Sequence, residues 1–445
     1  MTARDHAGST ATPGSSSTSS TSSTSGRSSR YGGHGSSGRT AGALRPLTVT
    51  VAAAALAATA LAAAPAQAAP THAARPAAPY SPPTAPYSPP TTLYSPPANP
   101  DATRQILDLA RHGQVRDAAG VLAMTLTPQA VWFGDGTPDE VRASVHRTVV
   151  AAARRHALPV LALYNIPGRD CAQYSAGGAA DTPQYEAWID AVRAGVGDLP
   201  ATVVLEPDSL ALLPSDCGQD DARGSRTTAR YTEIHYAVDA LEPLAGTKVY
   251  LDAGHSGWHS VNDIVPRLIA GGVDDATGFF LNISNYRSDA ELAWYGKLVS
   301  SCLSYVSAGG AAADCPNQWW AVNDAQAWLD AHVHAAPAAL KHFVTDTSRN
   351  GQGPWTAPAG VYSDPQEWCN PPGRGAGARP TLSTGDPLAD AKLWVKIPGE
   401  SDGQCTRGTA GPADPERGYQ DPAAGQWFPQ QALELARNAN PRLVP

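Results

Sequence analysis

The segment Pro159-Val160-Leu161-Ala162-Leu163-Tyr164-Asn165-Ile166-Pro167-Gly168-Arg169-Asp170 sets the reading of the fold. An unbroken apolar run of strand length stops at a turn that carries a guanidinium and a carboxylate. The arrangement recurs along the chain. Apolar runs extend from Gln129 to Phe133, Pro159 to Tyr164, Thr202 to Leu205, Lys248 to Leu251, Gly278 to Leu281, His342 to Val344 and Lys392 to Val395. Their polar ends hold Arg169 and Asp170, Glu206 and Asp208, Asp252 and His255, Asn282 and Asn285, Asp346 and Arg349, and finally Lys396, Glu400 and Asp402. Short apolar runs with helical stretches between them read as buried parallel strands of an α/β fold. Closed into a barrel, such strands collect their ends on one face, where barrels of this kind do their chemistry.

Composition confines that fold to the later part of the chain. Of 445 residues, those from 1 to 45 form a Ser-, Thr- and Gly-rich extension with too few large apolar side chains to offset the entropy of ordering, so disorder is expected there. Residues 46 to 68 read as a secretory signal: Arg39 and Arg45 precede an Ala/Leu/Val run from Leu47 to Ala64, and Ala66-Gln67-Ala68 offers a small-residue cleavage site. A retained membrane anchor is the alternative, and the run is short and Ala-rich for a spanning helix. Residues 69 to 92 are Pro-rich and carry Tyr-Ser-Pro-Pro at Tyr80 and Tyr87, a repeat that recurs just beyond them at Tyr94, which favours an extended polyproline II tether. Residues 93 to 445 are left as the folded domain.

A net charge of −8 with few Lys argues against nucleic acid or another polyanion as partner, and a neutral polymer or small molecule fits better. Six Cys in an exported chain are most simply three disulfides, for which the sequence alone permits fifteen pairings. No CxxC or HExxH spacing occurs, and Asp252 with His255 lacks a third ligand nearby, so no metal and no cofactor is expected. There is also no GxSxG elbow and no Cys free to act as a nucleophile. Carboxylates are abundant at the strand ends instead, beside eleven Trp in a chain with only five Phe. Aromatic faces match the C–H faces of sugar rings and carboxylates bond their hydroxyls, so the combination suggests glycoside hydrolysis. Trp188, Trp328 and Trp394, set in helical or strand-like runs, are expected in the core.

Longer motifs name a family. The stretch from Val160 to Cys171, followed by Tyr174-Ser175-Ala176-Gly177-Gly178, resembles the first signature of glycoside hydrolase family 6, the cellulases, and Val203-Val204-Leu205-Glu206-Pro207-Asp208-Ser209-Leu210 resembles the second. Tyr250 to His255, Ser284 to Arg287, Asp346 to Gly351 and Trp394 to Gly403 are further matches, so the likeness runs from about Leu93 to the C-terminus. It implies a distorted, seven-stranded parallel β/α barrel and hydrolysis of cellulose or another β-1,4-glucan with inversion at the anomeric carbon. By the same match Asp208 is the general acid, Asp170 the neighbour that tunes its pKa, and Asp402 the proposed base. An inverting pair is expected roughly 6.5 to 9.5 Å apart, with room for a water. Tyr164 would lie beneath the distorted sugar, with Asp252, Arg169 and Ser175 supporting the acidic cluster. Trp132, His255, Trp258, Asn285, Trp368, Lys396 and Glu400 would contact glucose units on either side of the cleavage point. The resemblance also pairs Cys171 with Cys217 and Cys369 with Cys405, leaving Cys302 and Cys315 to pair locally in an insertion, Ser300 to Asp330, that departs from compact family members.

The short stretch between Cys217 and Tyr231 favours an open cleft and endo action, and the longer one from Cys405 to Gln426 could form a partial lid. An endo-1,4-β-glucanase is therefore preferred over an exo-acting cellobiohydrolase with a tunnel. A non-catalytic glucan-binding protein on the same fold is the third reading, disfavoured because every expected carboxylate is present. The mature protein is expected to be extracellular, monomeric and free of the membrane once its signal is cleaved.

Overall fold

The computed structural model describes residues 92–445. The disordered extension, the signal and nearly all of the tether expected from the sequence lie outside the described residues. Seven parallel strands form one sheet in chain order: β1 (Val131–Phe133), β2 (Val160–Leu163), β3 (Ala201–Leu205), β4 (Thr247–Asp252), β5 (Gly278–Leu281), β6 (His342–Asp346) and β7 (Ala389–Leu393). Thr92–Leu93 and Ala157–Leu158 make a separate two-stranded pair.

Alternate residues of each strand enter two different cores, as a period of two requires. Leu161, Leu163, Val203, Leu205, Val249, Leu251, Phe279 and Phe343 face outward onto α3 (Pro138–Ala153), α4 (Thr182–Val196), α5 (Ser225–Leu241), α6 (Val261–Ala270) and α7 (Asp289–Ser307). Val160, Ala162, Val204, Tyr250, Phe280, Val344 and Leu393 fill the inside of the curl. Burial on both faces is what demanded the unbroken apolar runs. The helices start where the sequence caps them. In α3, Thr137 and Glu140 form a capping box ahead of Pro138, and in α7 Ser288 and Glu291 form another.

The barrel does not close by a ladder. β1 and β7 are the two edges of the sheet, bridged by the Ala130 N–H, which donates to the Trp394 carbonyl at 2.9 Å, and by Trp132 Nε1–H, which donates to the Val395 carbonyl at 2.8 Å. Beside this seam a second apolar cluster joins α1 (Pro100–Arg111), α2 (Val115–Leu126) and α9 (Pro429–Arg437) around Trp394 and Trp427. Trp188 and Trp394 are buried, while Trp328, on α8 (Val322–His332), is half-buried against Tyr305 and His332.

The last strand departs from the sequence expectation. It occupies Ala389–Leu393 rather than Lys392 to Val395, pairing Phe343 with Ala389 and Asp346 with Leu393 across a bulge. It carries polar side chains with partners of their own: Asp390 accepts from His342, Lys248 and Tyr250, and Lys392 donates to Asp289. A strand whose polar residues are satisfied by neighbouring strands and helices lacks the apolar signature. Trp394 and Val395 instead carry the seam.

Candidate active site

A cleft of about 810 Å³ opens at the carboxyl ends of the strands. All the residues singled out from the sequence as catalytic or sugar-binding line it except Asp252. Backbone strain marks its floor. Glu206 and Asp208 after β3, and Asp170, Cys171 and Ala172 after β2, all have positive φ, between 47° and 68°. Non-glycine residues in this region cost on the order of 1 kcal/mol or more each and persist where surrounding structure fixes them.

Two buried carboxylates supply that fixing. Glu206, fully buried, accepts the backbone N–H groups of Asn165 and Ile166 at 2.8 and 2.9 Å, tying the end of β2 to that of β3. Burial pushes its pKa up to about 7 against the pull of those amides. Asp252, only 2% exposed, accepts from the amides of Leu210, Ala211 and Gly254, so it holds the turn that follows Asp208. Asp252 does not line the cleft, and it braces the turn beside the acidic cluster from behind. Its charge still reaches Asp208.

Asp208 is strongly perturbed. Burial pushes its pKa up to about 8, aided by the charges of Asp252, Asp170 and, less, Asp402, while the Tyr164 hydroxyl, donating to Oδ2 at 3.1 Å, pulls it down. Asp170 is raised too, chiefly by burial, against the Ser175 N–H that donates to it at 2.6 Å. Arg169 braces this loop: its guanidinium donates to the carbonyls of Gly134, Tyr164, Ser175 and Ala176 and stacks 4.7 Å from the Tyr164 ring. Four of its five N–H donors go to backbone carbonyls, so Arg169 shapes the loop that carries Asp170. Gly178 completes the turn at φ +93°, where a Cβ would lie 2.0 Å from the Ile166 carbonyl oxygen.

Asp402, four strands away along the sheet after β7, has the opposite environment. Burial alone would raise its pKa, but Arg349, donating to Oδ2 at 2.7 Å, and Lys396, at 3.3 Å from Oδ1, outweigh it and hold the carboxyl below its ordinary value. The Asn370 N–H adds a bond at 3.0 Å. The Asn370 side chain then bonds the Asp402 N–H, Ser401, Gly403, Asp421 and Gln431, which makes it the hub of this corner. Arg349 is itself fully buried, stacked 4.6 Å from Tyr286.

The remaining wall is aromatic and amide. Trp132 meets Tyr164 edge-on at 5.5 Å; Trp258 and Trp368 are 38% and 37% exposed, enough to receive a ring. His255 is driven down to about 3 by burial and by Arg287 and His259, so it is neutral, with Nδ1 accepting from the Gly257 N–H. Asn285 caps the Tyr286 N–H, and Glu400 accepts from Asn99 at 3.1 Å. Burial raises the Glu400 pKa against the nearby Lys396.

Sequence reasoning gave no role to several residues that the structure places here. Tyr174, Trp355 and Gln366 line the cleft, and Asp346 accepts amides of Ser284, Ser348, Val395 and Lys396, locking the ends of β5, β6 and β7 together. The signal for Asp346 and Arg349 was their place in a strand-end motif. Asn370 offered only its position next to Cys369. The three bridges join Cys171 to Cys217, Cys302 to Cys315 and Cys369 to Cys405, the pairing that the resemblance implied.

Residues 89–439 match the family model for glycosyl hydrolases family 6. The chain belongs to this family. Endoglucanase A of Cellulomonas fimi is 38% identical over 324 residues, covering 73% of this chain and 57% of that protein, so little more than half of that relative is matched. A probable 1,4-beta-D-glucan cellobiohydrolase C of Aspergillus fumigatus is 32% identical over 352 residues, covering 72% of this chain and 70% of that protein. Among solved structures, the endoglucanase Cel6 of Mycobacterium tuberculosis superposes with a TM-score of 0.59 at 35% identity, covering 79% of this chain and 99% of its own. The family 6 fold, a curled half-barrel of seven parallel strands, agrees with the distorted barrel read from the sequence.

Proposed function

We propose that this protein is an endo-acting β-1,4-glucanase that cleaves with inversion. The observation that carries the reading is the divergence of two carboxyls in one aromatic-lined cleft: Asp208 pushed up to about 8 and Asp402 held below its ordinary value. Environments that push two carboxyls apart assign the acid and the base. Asp208 enters the reaction protonated and gives its proton to the glycosidic oxygen as the C–O bond breaks. Asp170, beside it, offers negative charge to the oxocarbenium-like centre and, once Asp208 has ionised, opposes that second charge, which favours reprotonation. Asp402 stays ionised and takes the proton of the attacking water. Its pairing with Arg349 and Lys396 makes it a weak base, so proton transfer must accompany C–O bond formation, when the water has become acidic. Tyr164 orients the acid through its hydroxyl and presents its ring with Trp132 to the sugar at the cleavage point. Trp258, Trp368, His255, Asn285, Lys396 and Glu400 supply stacking faces and hydrogen bonds along the chain of glucose units.

Endo action is supported by the loop from Cys405 to Gln426, which folds against its own side of the cleft. Ser363 Oγ donates to the Gly408 carbonyl at 3.0 Å, Arg407 donates to the Pro365 carbonyl at 3.0 Å, and only Ala424 and Gly425 of this loop reach the cleft. One observation favours the exo reading: the Tyr174 hydroxyl donates to Gln366 Oε1 at 3.4 Å and its ring lies 6.0 Å from Trp368, so loops after β2 and before β7 touch over part of the cleft. Viscosity loss against reducing-end release on carboxymethylcellulose decides between the two. Fast viscosity loss with few new ends supports endo action, and slow loss with cellobiose as main product supports exo action. Secretion through residues 46–68, a tether at residues 69–92 and action as a monomer belong to the same proposal. No helix among the described residues is long and apolar enough to cross a membrane.

A further inference from the structure

The excursion between α7 and α8 is pinned to the rest of the protein by polar bonds. The bridge from Cys302 to Cys315 closes it, and Asn262 Nδ2 donates to the carbonyls of Ala312 and Cys315 at 2.6 and 2.9 Å. Gln318 Nε2 donates to the carbonyls of Ser256 and His259 at 2.8 and 2.9 Å. Those two carbonyls flank Trp258 on the loop after β4, the loop that carries His255 and Trp258 into the cleft. The excursion is therefore fastened to the cleft wall at its aromatic edge.

Directly after Gln318 come Trp319 and Trp320, exposed by 67% and 42%. Neither belongs to an apolar cluster or lines the cleft, and the Trp319 N–H is held by the Asn317 side chain at 3.1 Å. Two adjacent indoles, kept in solvent on an anchored loop, contribute nothing to a core. A contiguous exposed apolar patch on an ordered surface marks a binding function, and flat aromatic faces suit the C–H faces of a neutral glucan.

We propose that Trp319 and Trp320 form a second aromatic platform, outside the cleft, that receives the β-1,4-glucan chain beyond Trp258. The inference rests on the reading of the cleft as a glucan site. Continuity selects the occupant: the platform is bonded to the Trp258 loop, so a chain leaving the cleft over Trp258 meets it next. Short oligosaccharides that fill the cleft do not reach it, whereas long chains and insoluble cellulose do.

The test compares wild type with Trp319→Ala/Trp320→Ala on soluble cellotetraose and on amorphous cellulose. The ratio of long-chain to tetramer kcat/KM is expected to fall about tenfold, and adsorption to insoluble cellulose, measured on an Asp208→Asn background, to weaken about tenfold, equivalent to about 1.4 kcal/mol. Trp319→Tyr/Trp320→Tyr, which keeps flat rings, is expected to recover most of both. An unchanged ratio with unchanged adsorption overturns the platform, as does an equal loss on tetramer and polymer. If the wild-type enzyme neither cleaves nor adsorbs to any β-1,4-glucan, the reading of the cleft itself fails; an active wild type with an indifferent double variant overturns the platform alone.

Discussion

Replacing Asp208 by Asn should stabilise the protein while abolishing its activity, and the stabilisation should depend on pH. A carboxyl raised from 3.8 to about 8 in the folded state keeps a proton that the unfolded chain releases. Below pH 3.8 both states are protonated and the group costs nothing. Between there and pH 8 the folded state binds more protons than the unfolded one, so stability falls as pH rises, and above pH 8 the full penalty is present. About four units at 1.36 kcal/mol each set an upper bound of about 6 kcal/mol, and because Asp252 and Asp170 share the electrostatic cost we expect about 3–5 kcal/mol. Asn retains an oxygen to accept the Tyr164 hydroxyl, so little else is lost. Denaturant titrations of wild type and Asp208→Asn at pH 4.5 and 8.5 read the difference. The variant should gain several kcal/mol at pH 8.5 and little at pH 4.5, and wild-type kcat/KM should fall above about pH 8 as the acid ionises. Equal stability differences at both pH values, with wild-type activity undiminished to pH 10, would refute the burial of a protonated Asp208.

Other perturbations probe the remaining parts. Arg349→Met leaves Asp402 buried beside Lys396 alone; removing one member of a buried pair costs about 3–5 kcal/mol, and the acidic limb of the pH–rate profile should move to higher pH as the Asp402 pKa rises, both readable by thermal melts and pH–rate curves. Replacing Cys369 and Cys405 by Ser opens a loop of 36 residues and should cost about 4 kcal/mol, seen as a lowered Tm, with a larger loss in kcat than the other two bridges because Asn370 is next to it. Glu206→Leu removes the acceptor shared by two strand-end amides and should lower kcat by tenfold or more with KM within about threefold, since Glu206 does not line the cleft.

The sequence made the sheet legible because each central strand is buried on both faces, and six of the seven strands fall where apolar runs stand. β7 escaped for the converse reason: Asp390 and Lys392 find partners only once β4, β6 and α7 are assembled around them. The motif residues reached the cleft because their strands share a direction and end on one face. What they do there was less legible. Asp252 and Arg169 act through backbone groups of neighbouring turns, and a residue spent on backbone bonds has no sequence signature to separate it from one that contacts a ligand. Asn370 serves Asp402 from 32 positions away through a loop with no periodicity.

The anomeric form of the first product tests the central claim most directly. Proton NMR during hydrolysis of a soluble cello-oligosaccharide, begun within seconds of adding enzyme, should show the α-anomer at the new reducing end first, with the β-anomer appearing only as mutarotation proceeds. A first product in the β form would contradict the roles given to Asp208 and Asp402.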